Sequence, residues 1–260
     1  MSNVLKNVLM LFIALAGTAA VGTAGAADGR LYEMRVYEAP PGKLDALHAR
    51  FRDHTAKLFA KHGMTNVGYF VPVGDNPRHR LVYVLSYPDR AARDASWKAF
   101  LADPDWKKAH AESEKDGTLV AKITSRFLTT TDYSPPFEPA AGTAPRVFEL
   151  RTYTATAGNL PALNARFRDH TMKLFAKHGM TNLIYWNYAA DQPQADRMLI
   201  YLLSHASQEA AQQSFTAFRQ DPDWLAARAA SEQKAGGSLT EKEGGVVSEF
   251  LTATDYSPLR

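Results

Sequence analysis

The chain reads as an α+β protein made of two tandem copies of one unit, and three observations predict this. A block reading RFRDHTAKLFAKHGMTN at 50–66 returns as RFRDHTMKLFAKHGMTN at 166–182, differing only at Ala56 and Met172. Strand-like and helix-like periodicities surround that block in the same order in both copies. Each copy closes on Thr-Asp-Tyr-Ser-Pro, at 131–135 and 254–258. The offset is 116 residues at the block, 118 at the shared Asp-Pro-Asp-Trp (103–106 and 221–224) and 123 at the close. The length changes therefore fall between matching blocks, where loops absorb them.

In the first copy, Tyr32, Met34 and Val36 alternate with Glu33, Arg35 and Tyr37, a period of two that predicts a strand over 30–38. Pro40, Pro41 and Gly42 break it. Leu44, Leu47, Phe51, Leu58 and His62 recur at three- and four-residue spacing, giving a helix over about 43–62 that ends at Gly63. A second strand is expected over 64–73 and a third over 80–87, the latter apolar on both faces and so central. A helix over about 91–102 turns Trp97, Phe100 and Leu101 inward. Asp103-Pro104 then restarts a short helix with Asp as N-cap, and 122–130 forms the fourth strand. This β-α-β-β-α-β order is ferredoxin-like. Such a sheet carries helices on one face, and a second identical sheet can cover the other. The fold class expected is two ferredoxin-like units forming an intrachain pseudo-dimeric α+β barrel. The boundaries are a leader at 1–26, one domain at 27–134, a Pro/Gly/Ala-rich linker at 135–145 and a second domain at 146–260.

The residues Tyr32-Glu33-Met34-Arg35-x-Tyr37, Pro41-Gly42-Lys43-Leu44 and Phe51-x-x-His54-x-x-x-Leu58-Phe59-x-x-His62-Gly63-Met64 together resemble the NIPSNAP domain. The second copy repeats the pattern, with Ala157-Gly158-Asn159-Leu160 in place of Pro-Gly-Lys-Leu. The resemblance implies the dimeric α/β barrel superfamily, which holds small cofactor-free monooxygenases, haem-associated enzymes and stress-response barrels. It brings no agreed reaction with it.

Composition narrows the function classes. Lys+Arg number 30 against 27 Asp+Glu, a net charge of +3 with no run of five like charges, which gives no footprint for nucleic acid. Cysteine is absent, so disulfides, thiolate zinc sites and a Cys nucleophile are excluded. No nucleotide-binding or Ser-nucleophile motif occurs. Lys6, the apolar run Val8–Ala16 and Ala24-Gly25-Ala26 form a signal-peptide pattern, predicting a periplasmic or secreted protein with no membrane span after cleavage.

The catalytic candidates are His54 and His170, equivalent histidines expected on the margin of the buried helix stripe beside Leu47. Each would be either a proton donor or acceptor at a pocket edge or a half-buried packing residue. His62 and His178 suit a structural place in the last helical turn. Neither a His-x-x-x-His nor a carboxylate cluster with metal spacing appears on a predicted helix, so no metal and no cofactor is predicted. Glu33, Arg35 and Tyr37, with Glu149, Arg151 and Tyr153, are expected to point into the barrel. There they would be either a closing ion bridge or a polar anchor for a ligand. Asn66, Tyr69, Asn182 and Tyr185 are further ligand-binding candidates, among aromatic second strands that could line a pocket. The leading function is binding of a small, partly apolar molecule between the two sheets. Alternatives are a cofactor-independent oxygenase or isomerase using His54/His170 with Tyr37/Tyr153, and an interaction protein without a pocket. A small-molecule ligand and a further homo-oligomer are the partners left open.

Overall fold

The computed structural model describes residues 27–140, 142 and 146–260. The leader at 1–26 lies outside the described residues. Strand β1 (Leu31–Glu38) is followed by α1 (Leu44–Arg50), a π-helical turn (Phe51–Thr55) and α2 (Ala56–Lys61) in one continuous rod. Strands β2 (Thr65–Pro72) and β3 (Arg80–Tyr87), helices α3 (Arg90–Ala102) and α4 (Pro104–Ser113), and β4 (Lys122–Thr130) complete the first half. The second half repeats the order. It runs β5 (Val147–Thr154), α5 (Leu160–Arg166), a π turn (Phe167–Thr171), α6 (Met172–Lys177), β6 (Thr181–Tyr188), β7 (Met198–His205), α7 (Gln208–Gln220), α8 (Pro222–Ala235) and β8 (Val246–Ala253).

The eight strands close into one antiparallel barrel in the order β1-β3-β2-β8-β5-β7-β6-β4. Each half contributes four neighbouring strands, with β3 central as its apolar faces require. The halves join at β2–β8, from Phe70 opposite Ala253 to Pro72 opposite Leu251, and at β4–β6, from Leu128 opposite Tyr188 to Thr130 opposite Trp186. Closure leaves no free sheet edge among the described residues to recruit another chain. Among the described residues no helix is long and apolar enough to cross a membrane.

The barrel interior is filled. Tyr32, Met34, Val82, Val84 and Leu128 of the first half pack against Phe148, Ile184, Trp186, Ile200 and Leu202 of the second in one buried cluster. Each such side chain removed from water contributes about 1.5–3 kcal/mol. The face expected beneath the helices is therefore the inner one, and Glu33, Arg35 and Tyr37 point outward under the helices instead. The reason is supply of partners. The interior is bounded by two largely apolar sheet faces, whereas the helices bring the arginine and tryptophan donors that Glu33 needs to the outer face. The cavity lined by Arg35, Trp97 and Trp106 lies outside this interior, under the helices.

The helices lie against the outer faces, each with its own core. In the first half Leu47, Phe51 and Phe59 pack on Tyr69, Leu81 and Tyr83. Asp103 caps α4 by accepting from the Asp105 backbone N–H at 2.8 Å. The expectation for Leu101 fails: it is 54% exposed.

The Thr-Asp-Tyr-Ser-Pro segments cross between the halves. Tyr256 reaches back to His48 of α1 (2.8 Å), Asp255 takes two bonds from Arg52 (2.6 and 2.7 Å), and Ser257 Oγ accepts from the Tyr69 N–H (2.9 Å). The first half returns the same contacts. Tyr133 donates to Asn164 (2.9 Å), Arg168 donates to Asp132 (2.7 Å), and Ser134 Oγ accepts from the Tyr185 N–H (3.1 Å).

Candidate functional site

The outer face of β1 carries a buried carboxylate at the centre of a dense donor shell. Glu33 is fully buried. It accepts from Arg35 Nη1 at 2.5 Å, from Arg93 Nε and Nη2 at 2.9 Å each, and from Ser125 Oγ at 2.8 Å. Tyr87 Oη and Trp97 Nε1 donate at 3.2 Å. Burial alone would push this carboxyl up. The Arg93 hydrogen bonds, the charge of Arg35 and the Ser125 bond outweigh it and hold the group down at about 2. A carboxylate so fully engaged is a poor proton acceptor, and its role is to anchor two guanidinium groups.

Those groups border a cavity of about 470 Å³ between the sheet, α1, the π turn, α3 and α4. Its walls include the aromatic side chains Tyr37, Phe51, Phe59, Trp97, Phe100 and Trp106. Three arginines, Arg35, Arg50 and Arg93, sit among them. Arg35 stacks over Trp97 at 4.4 Å and Arg50 over Trp106 at 5.4 Å. Arg50 is paired with Glu114 at 2.9 Å. Leu101 and Ile123, both exposed, lie at the rim. Apolar walls with a few convergent polar groups are what small-molecule sites are made of.

The π turn builds one wall. Its extra residue lets Arg50, Phe51 and Thr55 all face inward, with Thr55 Oγ1 donating to the Arg50 carbonyl at 3.1 Å. Thr55 thereby takes the inward place that regular helical spacing gives to His54. His54 is exposed, in a surface groove beside Asp53, Lys57 and Glu112, and His170 lines a separate groove with Asp169 and Lys234. Neither shares a cavity with Tyr37 or Tyr153, so the paired His–Tyr site expected for an oxygenase or isomerase is not assembled.

The remaining candidates are structural. Asn66 donates to the Ala56 carbonyl at 2.9 Å and accepts from Tyr69 Oη at 2.6 Å. A bulge between Asn66 and Gly68 lets residues 66 and 69 share the helix-facing side. Asn182 and Tyr185 repeat this on the Met172 carbonyl. Their polar atoms are used in fastening the helix to the sheet. His62 and His178 hold Asp103 and Asp221, the N-caps of α4 and α8, at 2.6 and 2.7 Å. Sequence reading missed Arg93, Arg50, Tyr87 and Ser125 as site residues. The signal available was difference: Arg93 and Trp97 stand where the second copy has Ala211 and Phe215.

The second half carries a simpler version. Glu149 accepts from Arg151 Nη1 at 2.5 Å and from Ser248, and lies 3.0 Å from His205 Nε2, with His205 in the place of Tyr87. Burial would raise this carboxyl, but the His205 bond and Arg151 lower it below its ordinary value. Arg151 Nε donates to Tyr201 Oη at 2.9 Å.

An eight-stranded antiparallel barrel with helices outside, both halves on one chain, is a barrel of the dimeric α/β type. The chain belongs to the NIPSNAP family, whose sequence profile matches residues 32–135 and 148–258. Among solved structures it is similar to a protein of Fusobacterium nucleatum provisionally assigned as a monooxygenase. The identity is 9%, the match covers 88% of this chain and 93% of that one, and the TM-score is 0.57. A mutant chlorite dismutase of Candidatus Nitrospira defluvii, in complex with cyanide, gives 8% identity, 88% and 92% coverage and a TM-score of 0.51. A NIPSNAP-like domain protein of Burkholderia xenovorans is 21% identical over 43% of this chain and 93% of its own, with a TM-score of 0.38. At these identities the likeness speaks for the fold alone. No curated protein matches the chain.

Proposed function

We propose that this NIPSNAP protein binds a small, partly apolar molecule in the cavity of its first half, under helices α3 and α4. In this reading each half is a ferredoxin-like unit, the shared barrel interior is scaffold, and the site is carried on an outer face. The carrying observation is the cavity of about 470 Å³ walled by aromatic side chains with three arginines among them. An oxygenase reading draws on the name of a distant neighbour, and Glu33, ionised and fully bonded, is not free to act as a base there. Thermal shift against quinones, phenols and aromatic acids tests the proposal. At least one class should raise the melting temperature at high micromolar concentration, and Val120→Trp, which places an indole in the cavity, should abolish the shift. Absence of any shift in the unsubstituted protein sinks the reading.

The same proposal has the protein act outside the cytoplasm, with the leader at 1–26 removed. Its support is the basic start, the apolar run and Ala24-Gly25-Ala26. N-terminal sequencing of protein recovered from the periplasm or medium should begin at Ala27. An intact Met1 would defeat this.

A further inference from the structure

The two halves offer a natural comparison for what the cavity takes. Arg35 and Tyr83 stand opposite each other on β1 and β3, as Arg151 and Tyr201 do on β5 and β7. In the second half the pair is closed, Arg151 Nε donating to Tyr201 Oη at 2.9 Å. In the first half it is open. Arg35 Nε and Tyr83 Oη are both buried and make no hydrogen bond to each other. Arg35 is 8% exposed and Tyr83 not at all. Tyr83 lies behind the cavity wall, and Arg35 is the member of the pair that borders the cavity.

The charges agree. Glu33 is shared by Arg35 and Arg93, which leaves one positive charge over, while Arg50 and Glu114 cancel. Asp94, the other partner of Arg93 at 3.1 Å, is 61% exposed and screened by solvent. His110, at the cavity rim and 3.6 Å from Glu114, adds positive charge when protonated. The second half has Ala211 in the place of Arg93, so Glu149 meets a single guanidinium, that of Arg151, with His205 3.0 Å from its other oxygen.

We infer that the first-half cavity selects a flat aromatic monoanion, its charged oxygen meeting the guanidinium groups of Arg35 and Arg93 that border the cavity while its ring lies among Trp97, Trp106 and Phe51. This rests on the binding reading above and names the ligand class for that cavity. Arg93 is the specificity-determining residue. By holding Glu33, it leaves Arg35 with charge to spare.

The test is a matched pair of probes, 2-naphthoate and neutral 2-naphthamide, titrated calorimetrically into the mature protein. The naphthoate should bind on the order of tenfold tighter, as a charge-assisted bond in a buried site predicts. Arg93→Ala, which installs the residue of the second half, should cost the naphthoate about tenfold and the amide much less. A merely structural Arg93 would move stability and not the naphthoate-to-amide ratio. Equal binding of the two probes, both abolished by Val120→Trp, overturns the charge selection and leaves the cavity reading standing. Binding of neither overturns both.

Discussion

The first half surrounds its buried glutamate with two arginines, a tryptophan, a tyrosine and a serine; the second half gives the equivalent glutamate one arginine, a histidine and a serine. The backbone frame around the two is the same. The shared residues, the π turn, the His–Asp clamps and the Asn–Tyr fasteners, hold helices on a sheet. The residues that differ, Arg93 against Ala211, Trp97 against Phe215 and Tyr87 against His205, surround the charge. In a chain that carries its own duplicate, identity here marks the scaffold, and divergence marks where the two copies surround the buried charge differently.

The largest expected effect that tests this contrast is on stability. Glu33→Ala strands two guanidinium groups in a buried shell and should cost about 4 kcal/mol, with Glu149→Ala costing about 1 kcal/mol less because it strands one. Urea unfolding of both variants measures the difference, and equal losses would break the asymmetry. Next in size is a dependence on acid. The Glu33 carboxyl is held at about 2 in the folded chain against an ordinary 4.5. Its folded value is depressed, so its contribution is fully present above about pH 4.5 and is lost as pH falls toward 2. It amounts to about 3 kcal/mol. The stability gap between the unsubstituted protein and Glu33→Gln should therefore close across that window, and a gap that stays constant would contradict the assignment. The smallest effect concerns His48→Asn, which copies Asn164. At pH 8 it should change stability by less than about 0.5 kcal/mol, since Asn164 already makes the equivalent bond to Tyr133. Burial lowers the proton affinity of His48 in the folded chain, with Asp45 and Arg52 pulling in opposite directions. The unfolded chain thus gains the proton first on acidification, and below about pH 6 the asparagine variant should become the more stable of the two.

Much of the fold was legible because it rests on local signals. The strand at Lys122–Thr130, the cap at Asp103 and the stop at Gly63 follow from alternation, N-cap chemistry and a left-handed backbone, with Gly63 at φ 79°. The tandem barrel followed from the repeat and the need to cover a bare sheet face. The candidate site was legible only in part. Glu33, Arg35 and Tyr37 were found as a polar face, but which face meets the helices depends on partners far away in sequence. Trp186 and Phe148 claim the inner side of β1, and Arg93 and Trp97 rescue the outer. His54 was misplaced because a 3.6-residue period cannot foresee a π turn, which swings Thr55 inward in its stead. Leu101 was misplaced because it sits at a cavity rim rather than on a closed core.

The crossed Thr-Asp-Tyr-Ser-Pro tails carry a consequence for how the polypeptide is tied together. Each tail is fastened to the opposite half by a tyrosine, an aspartate and a serine, in addition to the strand pairing at both seams. The covalent tether between Pro135 and Arg146, with Phe137 packed on the barrel core, then adds to a union already fastened at both seams. A protease cut there would produce two fragments that migrate as one particle until a denaturant parts them, as though the ancestral partners had been joined by a leash they did not need.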